Sequence, residues 1–166
     1  LKETMDHVEL ILTTRRGLSG IPTGFDNLDR ITLGLRPGEL IILAARPSMG
    51  KTSLAMNIAE NVALGKGGEH SPRPVGIFSL EMSSQSLAMR MLCSHAGVSG
   101  FKLSGGFISQ ADHGKMTQAA AVLMKAPIFL DDTAGLDILE LRARARRMKK
   151  KNNVELIVVD YLQMLH

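Results

Sequence analysis

IILAARPSMGKTSLAM, residues 41–56, decides how the rest of the chain is read. An apolar run leads into Ala45, Arg46, Pro47, Ser48, Met49, Gly50, Lys51, Thr52 and Ser53, and a helix-forming stretch follows. The spacing is that of a phosphate-binding loop: a small residue, four others, then Gly-Lys-Ser/Thr. Such a loop turns backbone N–H groups toward phosphate oxygens at the positive end of a helix. Gly50 lets the backbone come close, Lys51 reaches the outer phosphates, and the Thr52 hydroxyl is a magnesium ligand. Ala45 stands where the first glycine is usual. That position supplies a backbone shape rather than a contact, and alanine supplies it at negative φ. The rival reading is a chance Gly-Lys-Thr at a helix start, against which the flanking strand and helix both weigh.

Outward from the loop, the chain alternates between apolar runs and helical stretches. "ELIILAA" reads as a strand introduced by Pro37-Gly38, and residues 50–64 as a helix. "GKGGEHSPRP" reads as an exposed loop. "VGIFSL", "PIFLD" and "VELIVVD" read as three further strands. Ser83 is placed to cap the helix after the first of these, and Asp137 with Glu140 is spaced like a capping box before the last helix. Strands that are apolar throughout, separated by helices, imply an α/β fold with a mostly parallel sheet covered on both faces. Ligands of such sheets bind beyond the carboxyl ends of the strands. The loop, Glu81, Asp131, Asp132 and Asp160 all fall at that edge.

A phosphate loop needs an acid on a neighbouring strand to position magnesium. Asp160 in "LIVVD" and Asp131 or Asp132 in "PIFLDD" both follow apolar runs, and the pattern alone does not choose between them. The Asp-Asp-Thr-Ala-Gly stretch also suits a solvated turn. Glu81, ending "IFSLE", suits a general base for an attacking water. It equally suits an acid complementing a helix N-terminus.

Composition narrows the classes. The chain has 166 residues, 45% of them hydrophobic, which is enough for one core. One cysteine, Cys93, lies among apolar residues, so no disulfide framework or thiolate metal site forms within the chain. A buried free thiol in a reducing cytoplasm is the expectation. No apolar run is long enough to cross a bilayer. The net charge of +4 is concentrated in "LRARARRMKKK", residues 141–151, where seven of eleven residues are basic. A run of that kind is most often a solvated helix face; contact with DNA or with a neighbouring subunit are the alternatives.

"TGFDNLD", "GLRPGELIILAARPSMGKTSLAMNIA", "FSLEMS", "RARARR" and "VVDYLQML" together resemble the bacterial replicative DNA helicases of the DnaB type, from about residue 18 onward. Ala45 in "AARPSMGKT" is that family's own form of the loop. The resemblance implies a RecA-like motor core that uses ATP and Mg2+, works as a homo-hexamer on single-stranded DNA, and meets a primase and a helicase loader. It implies Glu81 and Lys51 as catalytic, residues 45–53 as the nucleotide loop, and Thr52 with Asp160 at the metal. Gln163 also matches, without a role. It divides the chain into a linker segment at 1–19, with Leu1, Met5, Val8 and Leu12 as a helical stripe, and a core at 20–166 that stops after the Asp160 strand. Two other readings stay open: a RecA-like ATPase with another task, and a nucleotide-binding or assembly module without turnover.

Overall fold

The computed structural model describes residues 20–66 and 71–164. The expected stripe of Leu1, Met5, Val8 and Leu12 lies outside these residues. In chain order the elements are α1 (Asp26–Thr32), α2 (Lys51–Leu64), β1 (Val75–Ser79), α3 (Ser84–Ala96), α4 (Gly100–Ser104), α5 (Gln110–Leu123), β2 (Ile128–Asp131), α6 (Ile138–Asn152) and β3 (Leu156–Asp160). A 3-10 turn, Leu162–Met164, follows β3.

The three strands form one parallel sheet in the order β2-β1-β3. Val75 pairs with Ile128 on one side and Leu156 on the other, and Ser79 pairs with Asp160. The central strand β1 is buried at every residue. Its side chains alternate between two apolar layers, as the pleat requires. Val75 and Ile77 join Met56, Ala59, Val62, Leu87 and Met91, so α2 and α3 cover that face. Phe78 and Leu80 join Leu136 and Leu141, with Ala145 and Met148 beside them, so α6 covers the other. Gly76 permits the close seating of α6: a Cβ there would come within 3.0 Å of Met148 Sδ and 2.9 Å of Ile157 Cδ1. Full burial of side chains such as Ile77 and Leu87 stabilises the fold by about 1.5–3 kcal/mol each.

The helices begin where their sequences provide caps. The Ser83 hydroxyl accepts from Ser86 N–H, Ser109 from Asp112 N–H, and Asp137 from Glu140 N–H. The Asp137 cap forms as its spacing predicts, but Glu140 turns away from it to hold Arg144 at 2.7 Å. On α6, Leu141, Ala145 and Met148 pack inward, while Ile138 stays exposed. Buried Glu60 on α2 meets His95 of α3 at 2.7 Å and Lys66 at 3.1 Å, so its charge is paired. Cys93 is a buried free thiol. Among the described residues no helix is long and apolar enough to cross a membrane.

Residues 20–24 are rich in glycine and turn residues, yet Ile21 is buried and bridges Leu35, and Thr23 is fully buried against Asp29. Glycine and turn residues there serve a tight fixed turn. The run "ELIILAA" reads as a strand, but residues 40–46 join no ladder. Leu40, Ile41 and Ile42 are 81%, 55% and 71% exposed. The run has the composition of a strand covered on both faces, but no described strand lies beside it for its backbone to pair with. It faces β3 across a cavity of about 900 Å³ that Leu40–Ala45 and Leu156–Asp160 line together.

Candidate functional site

The site is built where the loop enters α2. Gly50 caps the helix in the left-handed region, at φ 84°, and Ser48 is also left-handed, at φ 64°. A Cβ on Gly50 would meet nothing within 4 Å, so the demand for glycine there comes from the backbone angle. Met49 N–H donates to Arg46 carbonyl at 3.3 Å and closes the turn. No side chain caps α2, and its first turn carries no acid. Its positive end and its first N–H groups are therefore free of a competing carboxylate. Residues 45–50 are exposed, so that end is open to a ligand.

Asp160 meets this end from the last residue of β3. Thr52 Oγ1 donates to Asp160 Oδ2 at 2.7 Å, and Lys51 Nζ lies 3.8 Å from Asp160 Oδ1. Asp160 is 5% exposed, and its own carbonyl accepts from Leu80 N–H at 2.8 Å, which ties it to the end of β1. The next residue, Tyr161, sets its ring under Lys51, with the ammonium 4.3 Å from the centroid. The lysine is thus held between a carboxylate and an aromatic face while two-thirds of its side chain stays covered. Asp160 and Thr52 offer two hard oxygens side by side. Magnesium is held by few protein oxygens and keeps waters and phosphate oxygens as its other ligands, so this donor pair fits it.

Glu81 lies two residues beyond Ser79, which pairs with Asp160. It is exposed and makes no hydrogen bond or ion pair among the described residues. The turn that carries it is fixed from below: Ser79 Oγ donates to Met82 carbonyl at 2.6 Å and accepts from Met82 N–H at 3.2 Å. A free carboxylate on a rigid turn at the carboxyl edge of the sheet can accept a proton from a water above it.

Asp131 and Asp132, which the sequence left level with Asp160, are engaged elsewhere. Asp131 accepts from Thr133 N–H and Oγ1, and pairs with Arg144 at 3.1 Å. Burial pushes its carboxyl up, but the bonds from Thr133 and Arg144 outweigh that and leave it below the usual carboxylate value. Asp132 accepts from Ser84 N–H at 2.7 Å, at the start of α3, and that bond lowers its pKa. The guanidinium of Arg144 is raised by its bonds to Glu140 and Asp131. These acids fasten α6 and α3 to the sheet. Neither contacts Lys51 or Thr52.

The cavity beside the loop is lined by Lys51, Asp160 and Tyr161 together with mostly apolar residues. Sequence reasoning missed Tyr161 as a neighbour of Lys51. The signal was its place directly after an acid at a strand end.

Comparison with known proteins gives a consistent result. The family model described as "DnaB-like helicase C terminal domain" matches residues 20–166. The replicative DNA helicase DnaC of Bacillus subtilis is 42% identical over 165 residues, 99% of this chain and 35% of that relative. The replicative DNA helicase DnaB of Geobacillus stearothermophilus is 45% identical over 165 residues, again 99% and 35%. Among solved structures, one described as an ATPase domain superposes with a TM-score of 0.87 at 29% identity, covering 99% of this chain and 57% of that one. A DnaB-like replicative helicase, studied for its interactions with primase, superposes with a TM-score of 0.82 at 29% identity, covering 98% and 39%. The chain therefore spans about a third of the length of the curated relatives it matches.

Proposed function

The chain belongs to the family of DnaB-like helicase C-terminal domains, and on that premise we propose that it is the ATP-hydrolysing motor part of a replicative DNA helicase. The observation that carries the reading is the meeting of Lys51, Thr52 and Asp160 at the uncapped start of α2. A triphosphate has the charge and shape for a helix N-terminus with open N–H groups and a lysine at its mouth. In this reading residues 45–53 wrap the phosphates, and Lys51 leaves its place against Asp160 to donate to the outer ones. Thr52 and Asp160 hold Mg2+, which when bound neutralises charge on the phosphates. Glu81 takes a proton from the attacking water. Tyr161 keeps the lysine pointed into the site.

Coupling of hydrolysis to movement on single-stranded DNA, assembly as a hexamer through residues 1–19, and contacts with a primase and a loader are part of the same proposal. They rest on family membership and on the descriptions of relatives, one of which was solved for its interactions with primase. The cytoplasm is the compartment such a motor requires.

Lys51→Ala tests the core of the reading. The outer phosphates lose their cation, so ATP turnover by the full-length protein should fall to background in a phosphate-release assay. Turnover near the parent rate would remove the loop from the mechanism. Unwinding of a duplex from a single-stranded tail separates a helicase motor from a RecA-like ATPase with another task.

A further inference from the structure

The second groove of the molecule lies at the opposite edge of the sheet from the nucleotide loop. β2 is an edge strand: β1 occupies one side, and among the described residues nothing pairs with the other. Pro127 carbonyl accepts from Val75 N–H at 2.9 Å, so Pro127, Phe129 and Asp131 turn their backbone groups toward β1. Leu130 and the Ile128 carbonyl, alternating with them, turn toward the open side, while Ile128 N–H donates to Ala126 carbonyl at 2.8 Å. The last two turns of α6 run alongside. Together they bound an open groove of about 1000 Å³, with Phe129 and Leu130 on the strand side and Arg147, Lys150 and Lys151 on the helix side.

Most of the charge of that wall has no carboxylate partner among the described residues. Of the seven cations in residues 141–151, only Arg144 has a carboxylate partner among the described residues. Arg147, Lys150 and Lys151 are exposed and make no ion pair or side-chain hydrogen bond among the described residues. Asp131, the one acid lining the groove among the described residues, is already taken by Arg144 and Thr133.

We propose that this groove binds an extended acidic peptide of a partner protein, which adds a strand to the open edge of β2. An incoming strand would gain main-chain hydrogen bonds from the Ile128 carbonyl and from both backbone groups of Leu130. Its side chains alternate between the two faces of the sheet. One set meets the cations of α6 and is best acidic. The other continues the layer of Ile128 and Leu130 and is best apolar. The chemistry called for is therefore alternating acidic and apolar residues. A second copy of this chain is a poor occupant, because its own β2 carries the same cations alongside. Nucleic acid is disfavoured on a different ground. The groove offers phosphate-binding cations, but its one aromatic, Phe129, is half-buried within the sheet and gives bases no exposed ring to stack on.

The test uses the full-length protein and a blocked, fluorescein-labelled heptapeptide of alternating glutamate and valine, followed by fluorescence anisotropy at low salt. Saturable binding is expected, and the double variant Arg147→Glu/Lys151→Glu should weaken it by about tenfold or more while leaving ATP turnover and circular dichroism unchanged. The same peptide N-methylated on every backbone nitrogen keeps its charge but has no N–H donor on either edge, so it too should bind at least about tenfold more weakly. Oligothymidylate should bind the parent and the double variant alike. Absence of saturable peptide binding would overturn the proposal. So would equal binding of the N-methylated peptide, which would reduce the contact to charge alone. Displacement of the peptide by oligothymidylate, with oligothymidylate affinity lost in the double variant, would hand the groove to nucleic acid.

Discussion

Asp29→Ala should be among the most damaging single changes outside the nucleotide site. Asp29 is 5% exposed, and its carboxylate accepts three hydrogen bonds. Thr23 N–H and Thr23 Oγ1 both donate to Oδ1 at 2.8 Å, and Gly24 N–H donates to Oδ2 at 3.2 Å. Thr23 has no exposed surface, so water cannot replace what alanine removes. Each orphaned buried donor costs about 1–3 kcal/mol, and the longer Gly24 bond contributes at the low end, so the loss sums to about 3–7 kcal/mol. That is a large part of a typical domain's stability of roughly 5–15 kcal/mol. The damage spreads to the motor helix, because Asn61 Nδ2 of α2 donates to Thr23 carbonyl at 3.0 Å. Asp29→Asn keeps one acceptor for Thr23 but turns a donor toward Gly24 N–H, and should cost about half as much. Urea denaturation followed by circular dichroism measures both. At roughly 2–4 °C per kcal/mol for a chain of this size, the alanine variant should also melt about 10 °C or more below the parent. A loss under about 1 kcal/mol in the alanine variant would refute the view that this carboxylate holds the turn.

Three other outcomes are expected. Glu81→Gln should leave nucleotide binding intact and slow hydrolysis by about 10²-fold or more, while Asp131→Asn leaves turnover near normal; a reversed pattern in phosphate release would exchange their roles. Because the folded state lowers the Asp131 pKa, its stabilisation is present above the unfolded value near 4 and is lost as pH falls through the lower folded value. Arg144→Leu should therefore flatten the acid limb of a stability-versus-pH curve below about pH 4, and an unaltered limb would show that the pair contributes nothing. If residues 1–19 join subunits as proposed, Met5→Asp with Val8→Asp should shift the full-length protein from its oligomer to smaller species by light scattering, since unpaired charge is costly to bury, while circular dichroism stays unchanged.

Much of this was legible from local pattern. The apolar runs at 75–80, 127–131 and 154–160 are strands because they are uniformly apolar and flanked by turn residues, and all three lie in the sheet. Ser83 and Asp137 cap because their oxygens sit three residues before an open N–H. What was not legible depends on the partner rather than the segment. Thr52 and Asp160 are 108 residues apart, and no local spacing brings them together. Asp131 and Asp160 end similar runs, but only the three-dimensional order of strands puts β3 beside α2 and leaves β2 to Arg144. The buried pairing of Thr23 with Asp29 was hidden for a different reason, because a polar residue among glycines reads as solvated turn. The run at 40–45 is the converse case: hydrophobicity states that a segment prefers burial, and pairing depends on a neighbour being there.

The exposure of Leu40, Ile41 and Ile42 has a calorimetric consequence. The heat capacity of unfolding follows the apolar surface newly placed in water, at about 0.45 cal/K/mol for each Å². These side chains are largely in water before the chain unfolds. Their transfer adds little to that increment, and little to the denaturant slope, which scales with the same newly exposed area. For its length, this folded form has a flatter stability curve, with a broader and lower maximum, than a chain that buries the run. An added strand that covered Leu40–Leu43 would then reveal itself as a gain in heat capacity before any change in secondary structure could be resolved.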